Sequence, residues 1–197
     1  MPRARNLAGL LLGGVLAANT PSVLAQDPSP SPLQALDPVA VVIASLDEPG
    51  VPLRIDGTAI DQATGEPVAG VEIVVYQADD GGEYEPTDPS DESTARLRGD
   101  LVTDPEGHFA FRTVLPGEYP DQPPGNRHVH VHSVTAEGYE PRGFIILFDD
   151  NVRDEVRTWA TSTGFGEIIE LTSKDGLLTG SLEITLEPLP GEASSGA

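Results

Sequence analysis

His128-Val129-His130-Val131-His132 alternates polar and apolar residues with a period of two, and Ser133-Val134-Thr135 follows it. Successive side chains of a β-strand point to opposite faces, so the segment reads as a strand that sets Val129 and Val131 toward a core and three imidazoles along the other face. Outward from it, period-two patterns or short β-branched runs bounded by Gly, Pro and Asp recur at 53–59, 71–77, 107–114, 144–148, 168–172 and 178–186. One segment, 151–161, carries Val152, Val156 and Trp159 at helical spacing. Short strands at this interval predict an all-β fold: a single β-sandwich domain of mostly antiparallel strands, with at most a short helix near 151–161.

The domain is expected to span 39–188. Before it, Arg3 and Arg5, the apolar stretch from Leu7 to Ala18 and the small-residue site Val23-Leu24-Ala25 have the form of a secretory signal peptide over 1–25. Gly13 and Gly14 interrupt the apolar stretch, which falls short of the ~18 to 20 residues a spanning helix needs. Residues 26–38 alternate Pro with polar residues and read as a linker; 189–197 read as a flexible tail. The expected destination is the periplasm or the cell exterior.

The 197 residues hold 32 Asp plus Glu against 11 Lys plus Arg, a formal charge of -21. Such a surface repels nucleic-acid phosphates and anionic lipid, so neither nucleic acid nor membrane is an expected partner. Cysteine is absent. That excludes disulfides, thiolate nucleophiles and Cys-ligated metals, and leaves His, Asp, Glu and Tyr as metal donors.

Two readings fit the histidine strand: a solvated face, or a metal site built from neighbouring imidazoles. Two of the four tyrosines lie in turn sequences, Asp79-Asp80-Gly81-Gly82-Glu83-Tyr84 and Pro116-Gly117-Glu118-Tyr119-Pro120. Singly, each fits a structural role in which the ring covers the end of the sandwich.

In order, these fragments resemble the intradiol ring-cleavage dioxygenases, the family of catechol 1,2-dioxygenases and protocatechuate 3,4-dioxygenases. The resemblance runs through Ile55-Asp56-Gly57-Thr58, Thr64-Gly65-Glu66-Pro67, Val74-Val75-Tyr76-Gln77-Ala78-Asp79, Arg98-Gly99, Thr103-Asp104-Pro105-Glu106-Gly107, Pro116-Gly117-Glu118-Tyr119-Pro120 and Arg127-x-x-His130-x-His132. It implies a mononuclear Fe(III) held by Tyr84, Tyr119, His130 and His132. It also implies that a small catecholic aromatic reacts with O2 and is cleaved between its two hydroxyl-bearing carbons, giving a muconate-type diacid. Tyr119 would leave the iron to help accept the substrate's protons, and Arg127 would stabilise negative charge developing on the ring. Phenolate oxygens are hard donors suited to Fe(III), and a bound cation lowers a phenol pKa far below its free value of about 10.

His128 and His130 form an alternative H-x-H pair; His130 and His132 are preferred because Arg127 then lies three residues upstream. The chain departs from the family pattern at Phe144-Ile145-Ile146-Leu147-Phe148, where Ile145 replaces a glutamine near the substrate. A second class of function fits the same strands: a non-catalytic accessory module, similar to carboxypeptidase regulatory-like or transthyretin-like domains, with a His-rich metal-binding strand.

Overall fold

The structure, a computed structural model, describes residues 40–190, so the expected leader, the linker and the tail beyond 190 lie outside the described residues. The elements are β1 (Val41–Val42), β2 (Pro52–Asp61), β3 (Glu72–Gln77), β4 (Leu97–Val102), β5 (His108–Val114), β6 (His128–Thr135), β7 (Arg142–Phe148), α1 (Asp154–Thr163), β8 (Gly166–Ile169), β9 (Thr172–Lys174) and β10 (Leu177–Leu186). They form two five-stranded sheets, β1-β5-β2-β10-β9 and β4-β3-β6-β7-β8. Both are mixed: β1 with β5, β2 with β10 and β7 with β8 run parallel, and the other neighbours antiparallel. This is the expected sandwich with its one short helix.

Alternation builds the core. Leu53, Ile55 and Ala59 of β2, Phe111 of β5 and Ile184 of β10 meet Ile73 and Val75 of β3, Val129 and Val131 of β6, and Phe144, Ile146 and Phe148 of β7. Burying side chains of this size stabilises by about 1.5–3 kcal/mol each. Gly57 on β2 leaves the space that the Phe109 ring fills, since a Cβ there would lie 2.1 Å from that ring.

Three details depart from the sequence expectation. Strand β4 comes from Leu97-Arg98-Gly99-Asp100-Leu101-Val102, whose buried and exposed residues alternate strictly. The expected strand at 168–172 divides in two, because the chain passes from one sheet to the other: β8 pairs with β7, and β9 with β10. The helix begins and ends later than expected, after Arg153 and at Gly164, whose left-handed φ of 67° and N–H to the Ala160 carbonyl close it.

The alternation of β6 also breaks. Val75 pairs with Val131 but Val74 pairs with Ser133, leaving His132 as an extra, bulged residue. Gly143 on β7 accommodates this bulge; a Cβ there would stand 2.7 Å from the His132 carbonyl oxygen.

Candidate metal centre

Two loops and the start of β6 converge at one end of the sandwich. The loop after β3 carries Tyr84, and the loop after β5 carries Tyr119. Two glycines let their backbones touch. A Cβ on Gly82, whose φ is +86°, would lie 2.2 Å from the Glu118 carbonyl oxygen, and one on Gly117 would lie 2.4 Å from that of Asp80. The Gly117 N–H donates to the Asp79 carbonyl at 2.7 Å. Asp79 also shapes its own turn, its carboxylate accepting from the N–H groups of Gly81 and Glu83.

Side chains on opposite sides of this contact close a ring of four donor atoms. The Tyr84 and Tyr119 hydroxyls are hydrogen-bonded to each other. The Tyr119 hydroxyl lies 3.0 Å from His128 Nε2, which lies 3.0 Å from His130 Nε2, which lies 3.0 Å from the Tyr84 hydroxyl. The structure thus gathers Tyr84, Tyr119, His128 and His130. His132 is outside the ring: exposed on the bulge, it meets the edge of Tyr76 with ring centroids 5.9 Å apart. The expectation that His130 pairs with His132 extended the strand period through a residue at which that period fails. His128 takes the place assigned to His132.

The surroundings prepare His128 to donate a lone pair. Its Nδ1 lies 2.6 Å from the Asn126 carbonyl oxygen, which can only accept, so Nδ1 carries the proton and Nε2 faces the ring unprotonated. Burial lowers the pKa of His128, with the Asn126 carbonyl working against the shift. Burial also pushes His130 down to about 3, helped by the charges of His128 and His132. Both imidazoles are therefore neutral near pH 7. Burial raises the Tyr84 and Tyr119 phenols above their ordinary value; the bond from Tyr119 raises Tyr84 further, while that from Tyr84 lowers Tyr119.

A second layer fixes the first. The Tyr76 ring stacks on His130 at 4.3 Å with planes 3° apart. The Asn126 side chain accepts from the Tyr119 N–H and donates to the Pro123 carbonyl. Glu118 accepts from the Gly125 N–H and from Asn151, whose own oxygen accepts from the Arg127 N–H. Arg127 is half-buried; its charge lowers the Glu118 pKa after the bonds from Asn151 and Gly125, and its Nε has no hydrogen-bond partner. On the other loop, the Arg96 N–H donates to the Tyr84 carbonyl while its guanidinium binds Glu48 and Glu85.

Sequence reading missed Tyr76, Asn126 and the two contact glycines as parts of this site. For the glycines a signal existed, since each lies within two residues of a tyrosine in a turn. Ile145 pairs with His130 across the sheet and is buried with Leu147 against Ala160 of α1. The helix covers this position, so an apolar side chain fits where the family pattern has glutamine.

The donor set suits a metal. No group of three or more His, Cys, Asp and Glu able to hold an ion occurs among the described residues, so a centre here depends on the two phenols. Three edges of the ring are 3.0 Å long, which brings oxygen and nitrogen donors from both loops and β6 close enough to share one ion.

A family model described as Dioxygenase matches residues 27–148. The chain is 31% identical to the catechol 1,2-dioxygenase of Acinetobacter baylyi over 121 residues, 52% of this chain and 39% of that protein. It is 35% identical to the hydroxyquinol 1,2-dioxygenase of a Rhizobium species over 108 residues, 48% of this chain and 36% of that protein. The matched region thus covers well under half of these relatives. Among solved structures, the dioxygenase domain of a dioxygenase carbohydrate-binding protein fusion from Streptomyces sp. SirexAA-E aligns with a TM-score of 0.59 at 25% identity, covering 83% of this chain and all of that one. An intradiol ring-cleavage dioxygenase from Tetranychus urticae shares the fold, with a TM-score of 0.56 at 22% identity over 79% of this chain and 89% of that one. With a family model spanning more than half its length, and with these relatives, the chain belongs to the intradiol ring-cleavage dioxygenase family.

Proposed function

We propose that the protein is an Fe(III)-dependent dioxygenase that cleaves a small catecholic aromatic with O2 between the two hydroxyl-bearing carbons, yielding a muconate-type diacid. The ring formed by Tyr84, Tyr119, His128 and His130 carries this reading. The ligand set proposed is that quartet. Ferric iron bound there would supply Lewis acidity to hold a catechol through its oxygens and activate it toward O2.

The chain's own groups do the rest. His128 and His130 present neutral imidazole nitrogens, one of them fixed in tautomer by the Asn126 carbonyl. Tyr119 lies in the wall of an open cavity of about 460 Å³, where its oxygen, held as a phenolate by a bound cation, could take a proton from an incoming hydroxyl. Tyr84 lines the same cavity, and its loop is held to Glu48 through Arg96. The role proposed for Arg127 is electrostatic, through a guanidinium whose Nε is left available for a further acceptor.

Purified protein loaded with ferric iron tests this. A tyrosinate-to-iron charge-transfer band in the visible, shifted by catechol and weakened by Tyr84→Phe or Tyr119→Phe, is the expected result. A colourless protein that binds zinc equally well without both tyrosines would overturn the reading and favour an accessory module. We also propose that the chain is exported after cleavage of residues 1–25 and acts in the periplasm or outside the cell, on the strength of the leader pattern. N-terminal sequencing of the protein recovered from cell fractions tests that point.

A further inference from the structure

The cavity that opens onto Tyr84 and Tyr119 is also walled by Glu83, Glu92, Asp121 and Gln122. Three of these are carboxylates, and the wall contains no lysine, arginine or histidine. Glu92 is held in place. It begins a single turn of 3-10 helix, Glu92–Thr94, capped by Asp91, whose carboxylate accepts from the Ser93 N–H at 3.0 Å and the Ser93 hydroxyl at 2.7 Å. Arg98 ties the same turn to β4 through the Ser93 carbonyl. The other two carboxylates sit on the tyrosine loops themselves, Glu83 beside Tyr84 and Asp121 two residues after Tyr119.

A catechol bound at the site proposed above would have this cavity beside it, and a ring substituent turned toward it would lie among the three carboxylates. A carboxylate substituent would meet like charge there, a repulsion that added salt screens. An uncharged ring meets no such penalty, and an ammonium-bearing side chain meets attraction. Arg127, the nearest cation in sequence to the histidines, is not part of the cavity wall.

We propose that Glu92, with Glu83 and Asp121, sets substrate charge at this site: the protein accepts uncharged and cationic catechols and rejects ring-carboxylated ones. The inference rests on the ferric catechol site proposed above.

The test is optical titration of the ferric protein, under argon and at low ionic strength, with catechol, 3,4-dihydroxybenzoate and 3,4-dihydroxyphenethylamine. The shift of the charge-transfer band reads binding without turnover. The expected order is the amine at least as tight as catechol, and the benzoate at least tenfold weaker. Glu92→Gln should narrow the catechol-to-benzoate ratio severalfold, and Glu92→Lys should narrow it further. Added salt should narrow it in the wild type and by less in Glu92→Gln. A benzoate bound within twofold of catechol, or a ratio unchanged in both variants, overturns the inference while leaving the ferric site standing. A protein whose spectrum no catechol shifts overturns the site and the inference together. Glu92 is exposed on its turn, and Asp121→Asn, on the other loop, should move the ratio in the same direction.

Discussion

Gly82 and Glu118 meet backbone to backbone, with room for no Cβ between them: one built on Gly82 would lie 2.2 Å from the Glu118 carbonyl oxygen. The contact joins the two loops that carry Tyr84 and Tyr119, so the distance between the phenols depends on a residue with no side chain. Gly82→Ala must both adopt a φ of +86° and push the loops apart. We expect a loss of about 1–3 kcal/mol in stability and a ferric charge-transfer band that is weakened or absent. Urea unfolding with the optical spectrum checks both. A variant of native stability with an unchanged band would show that the loops tolerate separation.

The choice between histidines is directly testable. His128 shares the donor ring and His132 stands on the bulge, so His128→Ala should reduce iron retained after dialysis to a small fraction of wild type. His132→Ala should retain nearly all of it. The reverse pattern would return the ligand pair to His130 and His132. His130→Ala should behave like His128→Ala under either pairing and serves as the control.

Arg96 links acid sensitivity to the Tyr84 loop. Its guanidinium bonds to Glu48 at 2.6 and 2.8 Å and to Glu85 at 2.6 Å, while its N–H holds the Tyr84 carbonyl. These bonds hold the Glu48 pKa below its ordinary value, ahead of the opposing effect of burial. A carboxyl depressed in the folded state contributes stability that is present above its unfolded pKa of about 4.3 and is lost as pH falls through its folded value. Denaturation midpoints followed from pH 6 downward should therefore decline below about pH 4.3, and more gently in Glu48→Gln, which has no such proton to take up. Arg96→Ala should cost about 1 kcal/mol at neutral pH.

Strand placement was legible because alternation survives in most of the chain: β2, β6 and β10 lie where the period predicts. The polarity pattern already falters at Ser133, but that this marks a register slip shows only in the strand pairing. The register of β6 slips at His132, and the choice of ligand depended on that one residue. An upstream arginine favoured His130 and His132, but Arg127 immediately precedes His128, and its N–H is bonded to Asn151. The tyrosines were legible as an ordered set within a family pattern. The contact that joins them was not, because it lies between loops separated by thirty-odd residues of intervening sheet and has no local signature beyond two glycines. Tyr76 was visible only as a strand residue; its stacking on His130 follows from the cross-strand pairing of the two.

Gly143 offers the sharpest check on the bulge. It lies within β7, a position where glycine lowers strand stability unless another backbone approaches closely. Here one does: a Cβ would come within 2.7 Å of the His132 carbonyl oxygen and 3.2 Å of that of Val131. Gly143→Ala must displace the bulge or the end of β7, and β7 also pairs Ile145 with His130. The expected result is a destabilisation of about 1–3 kcal/mol, with a smaller change in the iron band than Gly82→Ala gives, because His128 and His130 precede the slip. Should Gly143→Ala prove neutral while His132→Ala lowers iron binding, β6 would run without the bulge and His132 would return to the face shared by His128 and His130.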